Sequence, residues 1–390
     1  MPLKAAARMH LVDTTVFYSP TSGGVKRYLT AKHAWLAEHT SWQHTIVVPG
    51  ATEQLERGGV CTLPGVPVPG TFNYRLPINP RRWTRLLDEL EPTLIEAGDA
   101  FHPAWCGWTV AKRRGIPLVG FYHSNLPQLA GRRSCGILTE PIIRRYIRVL
   151  YERCDVVFAP SRLMCEYLQS LGVWHAVHQP LGVDADIFNP ARRSDALRRQ
   201  LGLAADSRVL VYAGRFAREK NLPVLQAAFA RLGAPYHLVL IGGEEASRPS
   251  ANVTILPYRR DSVELAEWLA SADALVHAGT KETFGLVVLE GMACGLPVVA
   301  ARAGAFPEFV DESVGMLAEP MSEASMAEAI AALYERDLAA IGAAARAKVL
   351  RQFTWNRAFH AQLSIYASLF GLQRHPVTDA ALLGMRSPTS

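Results

Sequence analysis

The chain lacks most features that would assign it at a glance. Cysteine is scarce: six among 390 residues, at 61, 106, 135, 154, 165 and 294, with no Cys-x-x-Cys and no framework spacing. That pattern excludes a disulfide scaffold, and the six read as reduced core thiols of a cytoplasmic protein. No apolar run nears the roughly 20 residues of a membrane-spanning helix. The first residues have no secretory apolar core, so the expectation is a cytoplasmic protein, soluble or peripheral on the inner membrane face. The excess of one charge is small, 41 Lys+Arg against 35 Asp+Glu for a net +6. A surplus of this size suits anionic nucleotides or an anionic membrane surface and does not indicate nucleic acid. There are no repeats or low-complexity segments. With 49% hydrophobic and 19% charged residues the chain is not disordered, and 390 residues suit two domains.

What is present centres on Ala272–Ala301. Ala272–Ala278 is mostly apolar and reads as a buried strand. A polar loop, Gly279-Thr280-Lys281-Glu282-Thr283, follows it. Gly285–Ala293 then suits a helix, closed by Gly295 at the usual cap position and by Pro297, and Leu296–Ala301 is the next strand. The N–H groups at Phe284, Gly285 and Leu286 open that helix and favour an anion, and Gly285 admits a close backbone approach. In an open α/β sheet, ligands sit beyond the carboxyl ends of the strands. Two carboxylates beside an anion site, Glu282 in the loop and Glu290 in the helix, make sense if they hold neutral hydroxyls such as those of a sugar and a ribose.

Other strand-to-loop turns repeat the theme. His10–Phe17 is a first strand, and Gly23-Gly24-Val25-Lys26-Arg27 turns it into a helix with a phosphate-cradle geometry or a plain tight turn. Further strands are expected at His44–Val48, Val60–Leu63, Leu94–Glu96, Pro117–His123 and Asp155–Ala159. Pro64–Pro80 reads as a surface loop and Arg81–Leu90 as a helix. Pro141–Arg153 is a helix with Ile142, Ile143, Tyr146, Ile147 and Leu150 on one side and Arg144, Arg145 and Arg148 on the other. Ser161 caps the next helix. After the turn-rich Pro180–Pro190 come a basic helix at Arg192–Gln200 and a strand at Val209–Ala213. Gly214-Arg215-Phe216-Ala217-Arg218-Glu219-Lys220-Asn221 follows, where Arg215 and Lys220 suit a diphosphate, one as a fork and the other as a point charge. Tyr236–Ile241 and Val253–Leu256 are further strands, the second leading to Pro257-Tyr258-Arg259-Arg260. Phe353-Thr354-Trp355 opens a last helix, Asn356–Leu369.

The run Glu282-TFGLVVL-Glu290, then GMACGLPVVA and Gly304-AFP-Glu308, resembles the E-x7-E region of retaining GT-B glycosyltransferases of family 4. The resemblance extends over nearly the whole chain. It implies an α/β GT-B fold, two doubly wound Rossmann-like domains facing across a cleft. An N-terminal acceptor domain over 1–185, with the C-terminal helix of about 356–390 packed back on it, would precede a nucleotide-sugar domain over 186–355. It implies transfer of a hexose from a UDP- or GDP-sugar to a hydroxyl acceptor with retention. Lipid, glycan and small-molecule acceptors all stay open, as does an anionic membrane surface. By resemblance Arg215 and Lys220 hold the donor phosphates, Glu282 the donor sugar and Glu290 the ribose. Thr283, Phe284, Gly285 and Leu286 belong to the same donor loop. Gly23, Gly24 and Gly214 face the donor through their backbone, with Lys26 and Arg27 as nearby basic residues, and Pro257, Tyr258 and Arg259 lie against the base. His123, ending a first-domain strand, would contact the donor sugar, and Gly98, Asp99, Phe101 and His102 would bear on the acceptor. Asn221 stands where the family's loop has glycine, which a left-handed turn tolerates.

No cofactor or metal is expected, since Arg215, Lys220 and helix N-termini can serve as charge stabilisers. Besides Arg144, Arg145 and Arg148, the arginines at 132, 133, 81, 82 and 85 mark a basic first domain that could meet anionic lipid. A phosphorylase or epimerase on the same architecture, or a non-catalytic sugar-binding module, is the alternative. The first would call for a lysine-anchored cofactor motif and the second for a signal peptide.

Overall fold

Strands that are apolar at every position must be covered on both faces, and parallel sheets sandwiched by helices achieve this. The computed structural model describes residues 9–18, 23–69, 74–124 and 136–371. They fall into two units, Met1–Pro180 with Ala358–Ser390, and Leu181–Arg357.

In unit 1 the order is β1 (His10–Thr14), α1 (Gly24–His39), β2 (Gln43–Gly50), β3 (Val60–Pro67), β4 (Arg75–Pro77), α2 (Pro80–Glu89) and β5 (Leu94–Ala97). Then follow α3 (His102–Arg114), β6 (Leu118–Phe121), α4 (Gly136–Tyr151), β7 (Val156–Ala159), α5 (Arg162–Ser170) and β8 (Ala176–His178). The sheet runs β4-β3-β2-β1-β5-β6-β7-β8. Every pairing is parallel except β3 with β4. Connections that run outward from β1 on one side and return to its other edge make the β1/β5 boundary a topological switch point. The core joins Val12, Val47, Trp83, Leu87, Ile95, Val110, Ile147 and Leu168, all essentially excluded from water.

The last helix, α12 (Trp355–Leu369), counts with unit 1 from Ala358 onward. Phe359 lies 5.9 Å from the Tyr28 ring and 5.8 Å from Trp35. Gln362 donates to the Tyr28 hydroxyl at 2.9 Å, and the Tyr366 hydroxyl donates to Glu96. Beneath these contacts is a buried charge cluster that the sequence pattern does not reveal. Lys32 Nζ is 3.0 Å from both Asp13 Oδ2 and Glu96 Oε1, and His44 Nε2 is 2.5 Å from Asp13 Oδ2. Burial raises the Glu96 carboxyl above its ordinary range while Lys32 pulls it back.

Unit 2 comprises α6 (Ala196–Leu201), β9 (Arg208–Ala213), α7 (Leu222–Leu232), β10 (Tyr236–Gly243), β11 (Ser247–Ser250) and β12 (Val253–Pro257). It continues with α8 (Ser262–Ala270), β13 (Ala274–His277), α9 (Leu286–Ala293), β14 (Val298–Ala301), β15 (Gly315–Ala318), α10 (Glu323–Tyr334) and α11 (Leu338–Gln352). The sheet order β11-β12-β10-β9-β13-β14-β15 puts its switch point between β9 and β13. The core gathers Leu210, Leu225, Phe229, Leu240, Val276, Val299 and Ile330.

Several expectations are revised. The Pro- and Gly-rich stretch Pro64–Pro80 is not all loop: β3 runs on to Pro67, and Val66 pairs with Leu76 across an edge hairpin. Such proline is tolerated at an edge, where missing donors face water. The helix at Arg192–Gln200 is instead a 3₁₀ turn, Pro190–Arg192, followed by α6. The chain is extended at Arg193, whose guanidinium donates to the Ala272 carbonyl at 2.8 Å. Helix α4 starts at Gly136, ahead of Pro141. Its apolar side is shorter than the sequence suggests: Ile147 and Leu150 are buried, but Ile142 is 68% exposed. Strands β8 and β11 carry no clear sequence signal.

The units divide after Pro180, ahead of the boundary at 185/186 read from the sequence. Val183 N–H donates to the Phe353 carbonyl at 2.8 Å, which binds 181–185 to unit 2. The expected arginines at 132 and 133, and the tail from 372, lie outside the described residues.

Candidate functional site

The site in unit 2 is built from the two loops that leave β9 and β13 at the switch point. After β9, the Gly214 N–H donates to Ile241 O at 2.9 Å, and the Tyr212 hydroxyl donates to the Arg215 carbonyl at 3.0 Å. Arg218–Lys220 makes a 3₁₀ turn, which ends at Asn221 with φ 53° and ψ 40°. Asparagine is thus in the left-handed conformation where glycine was the resemblance's usual residue. Its side-chain amide donates to the Ala278 carbonyl at 3.0 Å and to Thr280 Oγ1 at 3.3 Å. The Thr280 N–H donates to the Glu219 carbonyl at 3.3 Å. Asn221 therefore does more than permit a turn, because it ties the first loop to the second.

These ties bring Lys220 onto Glu282, with Nζ donating to Oε1. Burial would raise the Glu282 carboxyl, but Lys220, His277 and Arg215 outweigh it and hold it below the ordinary value. The loop backbone is fixed by the Ala305 N–H, which donates to the Glu282 carbonyl at 3.1 Å.

Phe284 points into the core, 4% exposed, with its ring 5.9 Å from Phe309 and 6.3 Å from Phe353. Its contribution to any ligand is through the backbone. Gly285 caps α9 with φ 93°, and a Cβ there would stand 2.7 Å from the Phe306 ring. Only glycine meets both demands. The first-turn N–H groups from Leu286 on then present the positive end of the helix, with Thr283 just ahead of it. Glu290, in the second turn, is 2% exposed. At the end of β12, the Tyr258 N–H donates to Gly243 O at 2.9 Å after Pro257. The Arg259 guanidinium lies 4.1 Å above the Trp268 ring and 2.9 Å from Glu264, so its side chain is spent on α8.

The remaining expected residues belong to unit 1. Gly23 precedes α1 and its carbonyl accepts from Arg27 N–H at 3.2 Å, while Gly24 is the exposed first residue of the helix. Lys26 Nζ stands 5.8 Å from the Tyr18 ring. His123 follows β6, stacked on Phe121 with ring centres 3.7 Å apart and 4.9 Å from Tyr28. Burial, against a nearby Glu96, lowers its pKa to about 3, so it is a neutral imidazole. Asp99 proves to be a loop clamp: it accepts from Val16 N–H at 2.5 Å, Thr15 Oγ1 at 2.8 Å and Phe101 N–H at 2.9 Å. His102 begins α3.

Two features were missed by sequence reasoning. His277 ends β13 against Glu282, and its only signal was a histidine at a strand's carboxyl end just ahead of the glutamate loop. The sequence reading also takes the chain to have no Asp-x-Asp, although Asp184-Ala185-Asp186 is one. Asp184 Oδ1 accepts from Asp186 N–H at 3.1 Å and Ile187 N–H at 2.9 Å, which makes it a turn cap.

Comparison with known proteins supplies the context. Residues 22–187 match the family model described as Glycosyltransferase Family 4, and residues 207–336 match Glycosyl transferases group 1. A Mycobacterium tuberculosis GDP-mannose-dependent alpha-(1-6)-phosphatidylinositol dimannoside mannosyltransferase is 31% identical over 381 residues, 93% of this chain and 97% of that one. A D-inositol 3-phosphate glycosyltransferase of Xylanimonas cellulosilytica is 34% identical over 293 residues, 67% of this chain and 68% of its own. Among solved structures, sucrose-phosphate synthase from Thermosynechococcus elongatus superposes with a TM-score of 0.75 at 22% identity, covering 94% of this chain and all (100%) of its own. Anabaena HepE, solved with UDP-glucose, gives 0.72 at 19% identity, with 93% and 100% covered.

Proposed function

The chain belongs to glycosyltransferase family 4, a nucleotide-sugar-dependent transferase of GT-B fold, and from that membership we propose that it moves mannose from GDP-mannose to a lipid-linked glycan hydroxyl with retention at the anomeric carbon. The observation that carries the donor and acceptor is the match to the phosphatidylinositol dimannoside mannosyltransferase along nearly the full length of both chains.

The unit 2 site suits the donor half. Lys220 has three donors on Nζ and spends one on Glu282, so the others can meet a diphosphate oxygen together with Arg215 and the start of α9. Glu282 takes a sugar hydroxyl and Glu290 the ribose. The anomeric C–O bond to the diphosphate breaks, a new C–O bond to the acceptor oxygen forms, and the acceptor's proton passes to the leaving phosphate oxygen. Lys220 and Arg215 oppose the charge that gathers on the diphosphate as it departs, and no metal is needed for that. In unit 1, the neutral His123 is the residue we assign to the donor sugar.

The test is transfer of labelled sugar from GDP-mannose, UDP-glucose and UDP-galactose to a phosphatidylinositol mannoside, with and without excess EDTA. The expected result is product from GDP-mannose alone, undiminished by EDTA and with the α linkage by NMR. Transfer from a UDP-sugar in preference would overturn the donor, and loss to EDTA restored by Mg²⁺ would overturn metal independence.

For the acceptor we infer contact with an anionic lipid surface. Trp174 is 77% exposed, Ile142 68% and Leu163 40%, on adjoining elements of unit 1. The Arg148 guanidinium lies 3.3 Å from the position a Cβ would take on Gly172, two residues before Trp174. Exposed tryptophan and aliphatic side chains beside arginine are what a headgroup interface receives well. Arg144 and Arg148 pair with Glu140 at 3.6 Å and Glu152 at 2.7 Å, which leaves the face less basic than its arginine count. Among the described residues no helix is long and apolar enough to cross a membrane. Sedimentation with vesicles containing phosphatidylinositol should be salt-sensitive and should weaken in Trp174→Ala/Arg145→Glu. No sedimentation at low salt would overturn the membrane contact without touching the transferase reading.

A further inference from the structure

His277 closes β13 and is 1% exposed, its ring 5.2 Å from Tyr212 and 4.8 Å from Phe306. The Gly279 N–H donates to its Nδ1 at 3.0 Å. A backbone N–H can only donate, so Nδ1 carries no proton, and a neutral ring must hold its proton on Nε2. That nitrogen lies 3.5 Å from Glu282 Oε1, the same oxygen that Lys220 binds. Residue 279 must be glycine for this arrangement, because a Cβ there would stand 2.6 Å from the imidazole Cε1. The two donors converge on one carboxylate oxygen, and Oε2 takes part in neither contact.

We propose that His277 is a positioning residue for Glu282: its Nε2–H, with Lys220, holds Oε1 and so keeps Oε2 directed at a donor-sugar hydroxyl. The inference rests on the donor reading given above. It gives a division of labour in which Lys220 can serve the diphosphate without loosening the carboxylate, since the imidazole stays as its second anchor. Burial lowers the ring's pKa to about 4, against the pull of Glu282, so at neutral pH His277 adds no charge and its one N–H faces Glu282. A ring held this way distinguishes sugar from bare diphosphate, because it acts only on the group that meets the sugar.

The experiment begins with the wild-type chain and four calorimetric probes: GDP, GDP-mannose, UDP and UDP-glucose. Binding of none of them overturns the donor reading itself, and this inference with it, before any variant is made. With the donor that binds and its diphosphate, His277→Phe keeps a ring between Tyr212 and Phe306 but removes the donor. It should lose about tenfold or more in affinity for the sugar nucleotide, the usual size for a hydrogen bond to a charged group. The bare diphosphate should bind within about twofold of wild type. His277→Gln, which can present an N–H near the Nε2 position, should recover part of the loss. Nitrogen-15 shifts of the His277 ring should report a bare Nδ1 and a protonated Nε2 at pH 7. Equal losses for both ligands in His277→Phe, no loss in either, or a proton on Nδ1 would overturn the proposal.

Discussion

Lys220 Nζ donates to Glu282 Oε1 across a separation of 62 residues, each side chain more than four-fifths buried at 17% and 14% exposure. The two stand at the carboxyl ends of neighbouring parallel strands, β9 and β13. The loops that follow these two strands therefore bring a cation and a carboxylate to one point. Each stabilises the other's charge, and their joint net charge is nil.

Lys220→Ala should lower kcat by roughly two to three orders of magnitude, as for loss of a comparable electrostatic stabiliser. The thermal midpoint should fall as well, because Glu282 would be left largely buried without its cation. Steady-state turnover together with calorimetry checks both. Near-normal kcat would remove Lys220 from the donor site.

Glu282→Ala and Glu290→Gln should separate by ligand. Loss of Glu282 takes a negative charge from beside Lys220, so GDP affinity should hold or rise while GDP-mannose affinity falls. Loss of the Glu290 charge should weaken GDP and GDP-mannose alike, because both carry the ribose. Identical behaviour of the two variants toward the two ligands would end this assignment.

Stability should fall in mild acid, with a sign set by buried neutral histidines. His123 has its pKa lowered to about 3, and His237 and His277 to about 4, in each case chiefly by burial. A depressed histidine leaves the unfolded chain binding the extra proton between the folded value and about 6.5. Stability is then complete above pH 6.5 and declines toward pH 4, by up to about 1.4 kcal/mol per pH unit for each histidine. Urea midpoints from pH 7.5 to 4.5 should show the decline, and His277→Gln should flatten it. A pH-independent midpoint over that range would contradict the burial of these rings.

Lys32→Met should destabilise unit 1 by about 3–5 kcal/mol, because Asp13 and Glu96 would be left buried without their cation. Replacing one carboxylate as well, as in Lys32→Met/Glu96→Gln, should recover part of that cost. A single variant as stable as wild type would show that water reaches the cluster.

The local code was readable where the physics is local. Apolar runs bounded by glycine and proline marked most strands, and Glu282-TFGLVVL-Glu290 with Gly214-Arg215 and Lys220 marked the family and the two loops that meet after β9 and β13. Gly285 could be singled out because a helix opening on an anion favours a residue without a Cβ. Ser161 was visible as a cap because its hydroxyl answers an N–H three residues on, at 3.3 Å from Met164. Tertiary structure alone decided what depends on distant segments meeting. The sequence listed Lys220 and Glu282 as separate contacts, and only the adjacency of β9 and β13 made them a pair. Nothing in the pattern separated Lys32 from a surface lysine of α1, since a charge can be buried only where two carboxylates from β1 and β5 arrive to meet it. His277 read as one more strand residue until the fold set Gly279 on one ring nitrogen and Glu282 beside the other. Propensity and periodicity act over a few residues, whereas the protonation state and partner of a buried group are set by everything packed around it.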